Sequence, residues 1–108
     1  MELQIETTTE GSATVVAVAG EVDVATAPQL DEKLAVTATS PKIVLDLSNV
    51  TFLDSSGLGV IIKGLKRTSE LGGSLVLVIT NPTILKVFTI TGLDKVLTIV
   101  DSRDAALA

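Results

Sequence analysis

Apolar and polar positions change their spacing several times along the chain, and each change predicts an element. Leu3-Gln4-Ile5-Glu6 alternates as a half-buried strand does, and Glu10-Gly11-Ser12 follows as a turn. A second strand is predicted over Thr14 to Ala19, with Val15, Val16 and Val18, so the two make an antiparallel hairpin that ends at Gly20-Glu21-Val22-Asp23. Thr26-Ala27-Pro28-Gln29 has the pattern of a capping box with proline in the first turn. The helix it opens should run to about Ala38, bury Ala27, Leu30 and Leu34, and stop at Ser40-Pro41. Ile43 to Leu47 is short, apolar and rich in branched residues, which predicts a buried strand bounded by Pro41 and Ser48-Asn49. From Ser56 the period becomes helical, with Leu58, Ile61, Ile62 and Leu65 on the core face, until Gly72-Gly73.

The remaining segments repeat the alternation. Ser74 to Ile79 is predicted as a strand, continuously apolar from Leu75 to Ile79, as burial on both faces requires. Asn81-Pro82-Thr83 opens a third helix that offers Ile84, Leu85, Val87 and Phe88 to the core, and Gly92 closes it with Leu93 packing back. Val96 to Val100 reads as a last strand, and Asp101-Ser102-Arg103-Asp104 as the cap of a terminal helix, Ala105 to Ala108. This order predicts a single α/β domain over residues 1–108. Its sheet is mixed and mostly parallel, with four to five strands, an N-terminal antiparallel hairpin and about four packed helices.

Composition narrows the function classes. The chain has 108 residues, 46% of them hydrophobic, and its only aromatics are Phe52 and Phe88, so the core must be aliphatic. It has no cysteine and no histidine, which argues against disulfides, zinc sites, thiol chemistry and serine-hydrolase triads. Eight basic against thirteen acidic side chains give a net charge of -5, which disfavours nucleic acid and suits a partner with a basic patch. Met1-Glu2-Leu3-Gln4 lacks a basic run followed by an apolar core, and no apolar run approaches the ~20 residues that span a bilayer. A soluble, cytoplasmic protein without a membrane partner is expected.

Candidate chemistry lies beyond the carboxyl ends of the strands, where open α/β sheets gather functional groups. One segment there is Gly20 to Ala25, with Glu21 and Asp23; the other is Leu53 to Gly57, with Asp54, Ser55 and Ser56. A helix start carries unpaired N–H groups and partial positive charge. Asp54, Ser55 and Ser56 therefore serve as caps, or present a hydroxyl where a phosphate is welcome. The carboxylates Asp23 and Asp54 with Ser55 also suit Mg²⁺ or the docking of another protein. A further stripe, Gly57, Val60 and Gly64, is flanked by Lys63 and Arg67. Glycine inside a helix costs about 1 kcal/mol relative to alanine, so the stripe implies close approach by another backbone, of a partner or of a neighbouring helix.

Leu53-Asp54-Ser55-Ser56-Gly57-Leu58-Gly59-Val60-Ile61, preceded by Ile43 to Leu47, resembles the signature of bacterial anti-sigma factor antagonists, the STAS-domain family. Gly20-Glu21-Val22-Asp23 is similar to that family's Gly-Glu-Leu/Ile-Asp segment, and Pro82 to Phe88 with Thr91-Gly92-Leu93 to its third helix. The resemblance covers nearly the whole chain. It implies a protein that, unmodified, binds an anti-sigma factor of the GHKL serine-kinase type and so releases a sigma factor. The same partner phosphorylates the hydroxyl that follows the aspartate, here Ser55 with Ser56 as the alternative, and a metal-dependent Ser/Thr phosphatase reverses the step. The implied docking surface takes in Asp23, Asp54, Ser56, Gly57, Gly59, Val60 and Lys63. Such a protein is a substrate, not an enzyme, and needs no catalytic residue, metal or cofactor; a monomer is expected. The alternative is a STAS module in a transporter or other assembly without a kinase.

Overall fold

The computed structural model describes residues 2–108; Met1 lies outside the described residues. The described residues form β1 (Leu3–Glu10), β2 (Ala13–Val22), α1 (Ala27–Val36), β3 (Lys42–Leu53), α2 (Ser55–Glu70), β4 (Ser74–Val78), α3 (Pro82–Ile90), β5 (Thr98–Val100) and α4 (Arg103–Leu107). The strands lie side by side in chain order, β1-β2-β3-β4-β5. The first pair is antiparallel and the rest are parallel. Right-handed crossovers along an order that never reverses place successive helices on one face. The packing follows: Val16, Leu45 and Leu77 face a core shared with Leu30, Ile61 and Phe88 of α1, α2 and α3. Their strand neighbours Val15, Val44 and Val78 point the other way, where Ala106 of α4 covers them. No helix among the described residues is long and apolar enough to cross a membrane.

The third strand is longer than its sequence predicts. It runs past Ser48-Asn49 to Leu53. Asp46 accepts hydrogen bonds from the Ser48 N–H at 2.9 Å and from the Ser48 hydroxyl. With those local bonds made and the pairing to β2 continued past it, Ser48-Asn49 is a bulge, not a turn. The pairing with β2 slips there, between Ala17–Asp46 and Ala19–Asn49, and slips again after Gly20–Val50. Each slip rotates the strand, and Leu47, Val50 and Leu53 all end up buried.

Other boundaries move for similar local reasons. The second strand extends to Val22 because the lengthened β3 continues to pair with it. The last strand shrinks to Thr98–Val100, since Leu93–Lys95 winds into a 3₁₀ turn after Gly92, whose φ of 76° is the left-handed conformation expected of a helix stop. In α2 the fully buried line is Gly57, Ile61, Gly64 and Thr68, with Leu58, Ile62 and Leu65 only partly covered. A Cβ on Gly64 would stand 2.9 Å from Leu34 Cδ1. The glycine thus lets α2 lie close against α1.

Candidate functional site

Two loops meet at the carboxyl end of the central strands. Val22 and Leu53, the last residues of β2 and β3, are register partners, and the Asp54 N–H donates to the Val22 carbonyl at 3.2 Å. The segment Asp23–Thr26 and the start of α2 are therefore neighbours, as the parallel pairing of β2 with β3 requires.

Asp54 is the cap of α2. Its backbone is extended, and its Oδ1 accepts from the N–H of Ser56 at 2.9 Å and of Gly57 at 3.3 Å. The Asp54 carbonyl accepts the first helical bond, from the Leu58 N–H at 3.1 Å. Capping is thus done by the carboxylate and not by a serine hydroxyl. Ser55 is the first helical residue and is exposed; Ser56, next to it, is half-buried.

Asp23 organises the other loop. Its Oδ1 accepts from the N–H groups of Ala25 at 2.9 Å and Thr26 at 3.0 Å. The Thr26 hydroxyl accepts from the Asp23 N–H at 2.9 Å and lies 2.7 Å from the Glu21 carbonyl to which it donates. The Thr26 N–H, more than the other bonds, holds the Asp23 carboxyl below its ordinary pKa, so the group stays charged. The capping box read from Thr26 and Gln29 does not form. Thr26 makes no side-chain cap bond to α1, and Gln29 Nε2 instead donates to the Leu3 carbonyl at 3.1 Å. An Asx turn centred on Asp23 takes its place.

Both carboxylates therefore spend an oxygen on backbone N–H groups. Among the described residues no three His, Cys, Asp or Glu side chains group as a metal site would require.

The small stripe of α2 needs correction. A Cβ on Gly57 would overlap Leu53 and come within 2.8 Å of Val22 Cγ1, so Gly57 belongs to the interior and not to a docking surface. Gly64 is likewise internal, against Leu34. The exposed ridge is Ser55, Gly59, Lys63 and Lys66, spaced as one helical face requires, with Val60 half-buried beside it. A Cβ on Gly59 would meet nothing within 4 Å, so the fold itself does not require glycine there. Lys63 reaches Asp31 of α1 at 3.1 Å, and Arg67 lies 3.6 Å from the same carboxylate.

Two apolar side chains that the sequence reading passed over sit beside this end of the sheet. Val24, next to Asp23, is 76% exposed, and Phe52, just before Leu53-Asp54, is 42% exposed. Phe52 had a visible signal, being one of the only two aromatics, but the truncated strand hid its place.

The STAS domain family model matches residues 4–106. The anti-sigma F factor antagonist of Paenibacillus polymyxa is 35% identical over 111 aligned positions, covering 99% of this chain and 94% of that protein. The crystal structure of an anti-sigma factor antagonist from Mycobacterium paratuberculosis superposes with a TM-score of 0.92 at 30% identity, covering 98% of this chain and 92% of that one. The Bacillus cell-fate determinant SpoIIAA, solved in its phosphorylated form, shares the fold, with a TM-score of 0.71, 23% identity and 96% of each chain covered. Sheet order, the capped start of α2 and these likenesses agree: the chain belongs to the STAS-domain family, among the anti-sigma factor antagonists.

Proposed function

We propose that this protein is a binding switch controlled by phosphorylation of Ser55. Unmodified, it docks on an anti-sigma factor of the GHKL serine-kinase type through the start of α2 and the Asp23 loop, and the sigma factor is released. The same partner then transfers a phosphoryl group. The bond from Ser55 Oγ to Pγ of ATP forms, the bond from Pγ to the ADP oxygen breaks, and the hydroxyl proton passes to a base of the kinase. A metal-dependent Ser/Thr phosphatase returns the hydroxyl by adding water across the phosphorus–oxygen bond. The observation that carries this reading is that Ser55 stands exposed at the first position of α2 while Asp54, not serine, does the capping. The existence of SpoIIAA, a protein of the same fold, in a phosphorylated form supports it.

Electrostatics explains why such a mark changes binding. A phosphoserine adds about -1.5 to -2 charges. Against a partner carboxylate ~7 Å away, that costs roughly 1 kcal/mol in water and about 4 kcal/mol at an effective dielectric of 20. The scaffold keeps its shape, because a helix N-terminus tolerates an anion. Gly59 supports a docking role for the ridge: bare of side chain where nothing of its own fold intrudes, it admits a partner's main chain one turn beyond Ser55. Val24, exposed next to Asp23, supplies apolar area in the other loop of the surface.

The test is a pair of variants assayed with ATP and the cognate anti-sigma kinase. Ser55→Ala should take up no phosphate and keep partner binding, while Ser55→Asp should bind more weakly. Full phosphorylation of Ser55→Ala would move the acceptor to Ser56. Binding without phosphate uptake by the unaltered chain would make it a constitutive interaction module.

A further inference from the structure

The amide bonds around Asp54 bear on what happens to a phosphoryl group once it is on Ser55. The N-terminal amides of α2 are already committed. Asp54's own N–H goes to the Val22 carbonyl, and the N–H groups of Ser56 and Gly57 go to the Asp54 carboxylate. That leaves only the Ser55 N–H of that turn outside these bonds among the described residues. A helix start of this kind ordinarily receives a phosphate on its free amides; here an internal carboxylate has taken them first.

We infer that Asp54 is a positioning residue of the switch, which by holding the Ser56 and Gly57 amides keeps the phosphoryl group on Ser55 from folding back onto α2 and presents it to solvent. The inference rests on the reading of Ser55 as the phosphate acceptor. Its consequence is a dianion without an internal partner. The other charges at this end, Glu21 and Asp23, are acidic as well, while Lys63, about 12 Å along the helix axis, and Arg67 beyond it are turned toward Asp31. The group's charge is thereby left without a compensating partner in its own fold, open to capture by a phosphatase's metal ions and equally to repulsion by an acidic partner surface. Asp54 so acts on the phosphorylated form as well as on the fold.

The experiment uses the full chain with phosphoserine inserted at position 55 during translation, which requires no kinase. Amide resonances and the phosphorus resonance are followed across pH, in the unaltered sequence and in Asp54→Asn, which retains a capping oxygen. The Ser56 and Gly57 amides should not follow the phosphate titration, whereas the Ser55 amide should. The phosphate's second pKa should be higher in the unaltered sequence than in the Asp54→Asn variant by about half a unit, a threefold change in proton affinity, as expected for a carboxylate ~7 Å away in water. Ser56 and Gly57 amides that titrate with the phosphate, or a phosphate pKa no higher with Asp54 in place, would overturn the inference. If Asp54→Asn fails to fold, the amide readout on the unaltered sequence decides alone. The two ideas fail separately: phosphate found on the amides leaves the switch standing, and a kinase that ignores Ser55 leaves this measurement readable.

Discussion

The Asp54 N–H donates to the Val22 carbonyl at 3.2 Å, and this bond joins the ends of two strands whose following loops carry the candidate site. Asp23 comes directly after Val22, and Ser55 directly after Asp54. Parallel pairing of β2 with β3 thus sets the spacing of two segments that lie far apart in the chain. The spacing of the site is inherited from the sheet.

The three glycines of α2 should separate by role. Gly59→Ala places a methyl group in open space and gains helix propensity, so it should stabilise the protein by about 0.5–1 kcal/mol. Partner affinity should fall, because the methyl stands where close approach is proposed. Gly57→Ala pushes a methyl into Leu53 and Val22, and should destabilise by about 1–2 kcal/mol net of the propensity gain. Denaturant unfolding of both variants, with partner binding measured for the first, checks the contrast.

Asp46 and Arg103 should show a pH signature far from the site. Burial raises the Asp46 pKa, but the Ser48 hydroxyl, the Arg103 guanidinium at 2.6 Å and the Ser48 N–H together bring it below the ordinary value. A carboxyl whose folded pKa is depressed stabilises the fold above its unfolded pKa of about 3.9 and loses that contribution as pH falls through the folded value. Asp46→Asn should therefore cost about 1–3 kcal/mol at neutral pH. The gap to the unaltered protein should close in acid below the unfolded pKa. Arg103 is half exposed, so Arg103→Ala should cost only about 0.5–1.5 kcal/mol. Chemical denaturation at several pH values measures both.

At Asp23, Asn should substitute far better than Ala. Asparagine keeps an oxygen for the Ala25 and Thr26 amides, whereas alanine removes it. Hydrogen exchange at the Thr26 amide should speed up in Asp23→Ala and stay slow in Asp23→Asn. If Asp23 also meets the partner through its charge, both variants should bind more weakly.

Much of this molecule can be read from its residues, and the exceptions have a common cause. The alternation of strands and helices, the hairpin, the Gly92 stop and the placing of Asp54-Ser55 at a helix start follow from periodicity and capping chemistry. The end of β3 does not, because Ser48-Asn49 has the composition of a turn, and only pairing with β2 on one side turns it into a bulge. The role of each glycine is hidden for the same reason. Gly57, Gly59 and Gly64 look alike in sequence, and Val22 and Leu34, far away in the chain, together with Leu53 at the end of β3, decide which are internal. Thr26 and Gln29 fit a capping box locally, yet Asp23 and the Leu3 carbonyl offer them better partners.

The central claim is that one phosphoryl group on Ser55 changes what the protein can bind while leaving its fold intact. Titration calorimetry of the cognate anti-sigma factor with the unmodified chain and with the chain carrying phosphoserine at position 55 tests it directly. A loss of affinity of about 100-fold or more, equivalent to roughly 3 kcal/mol, with unchanged far-ultraviolet dichroism, is the predicted result. Equal affinity of the two forms would contradict it.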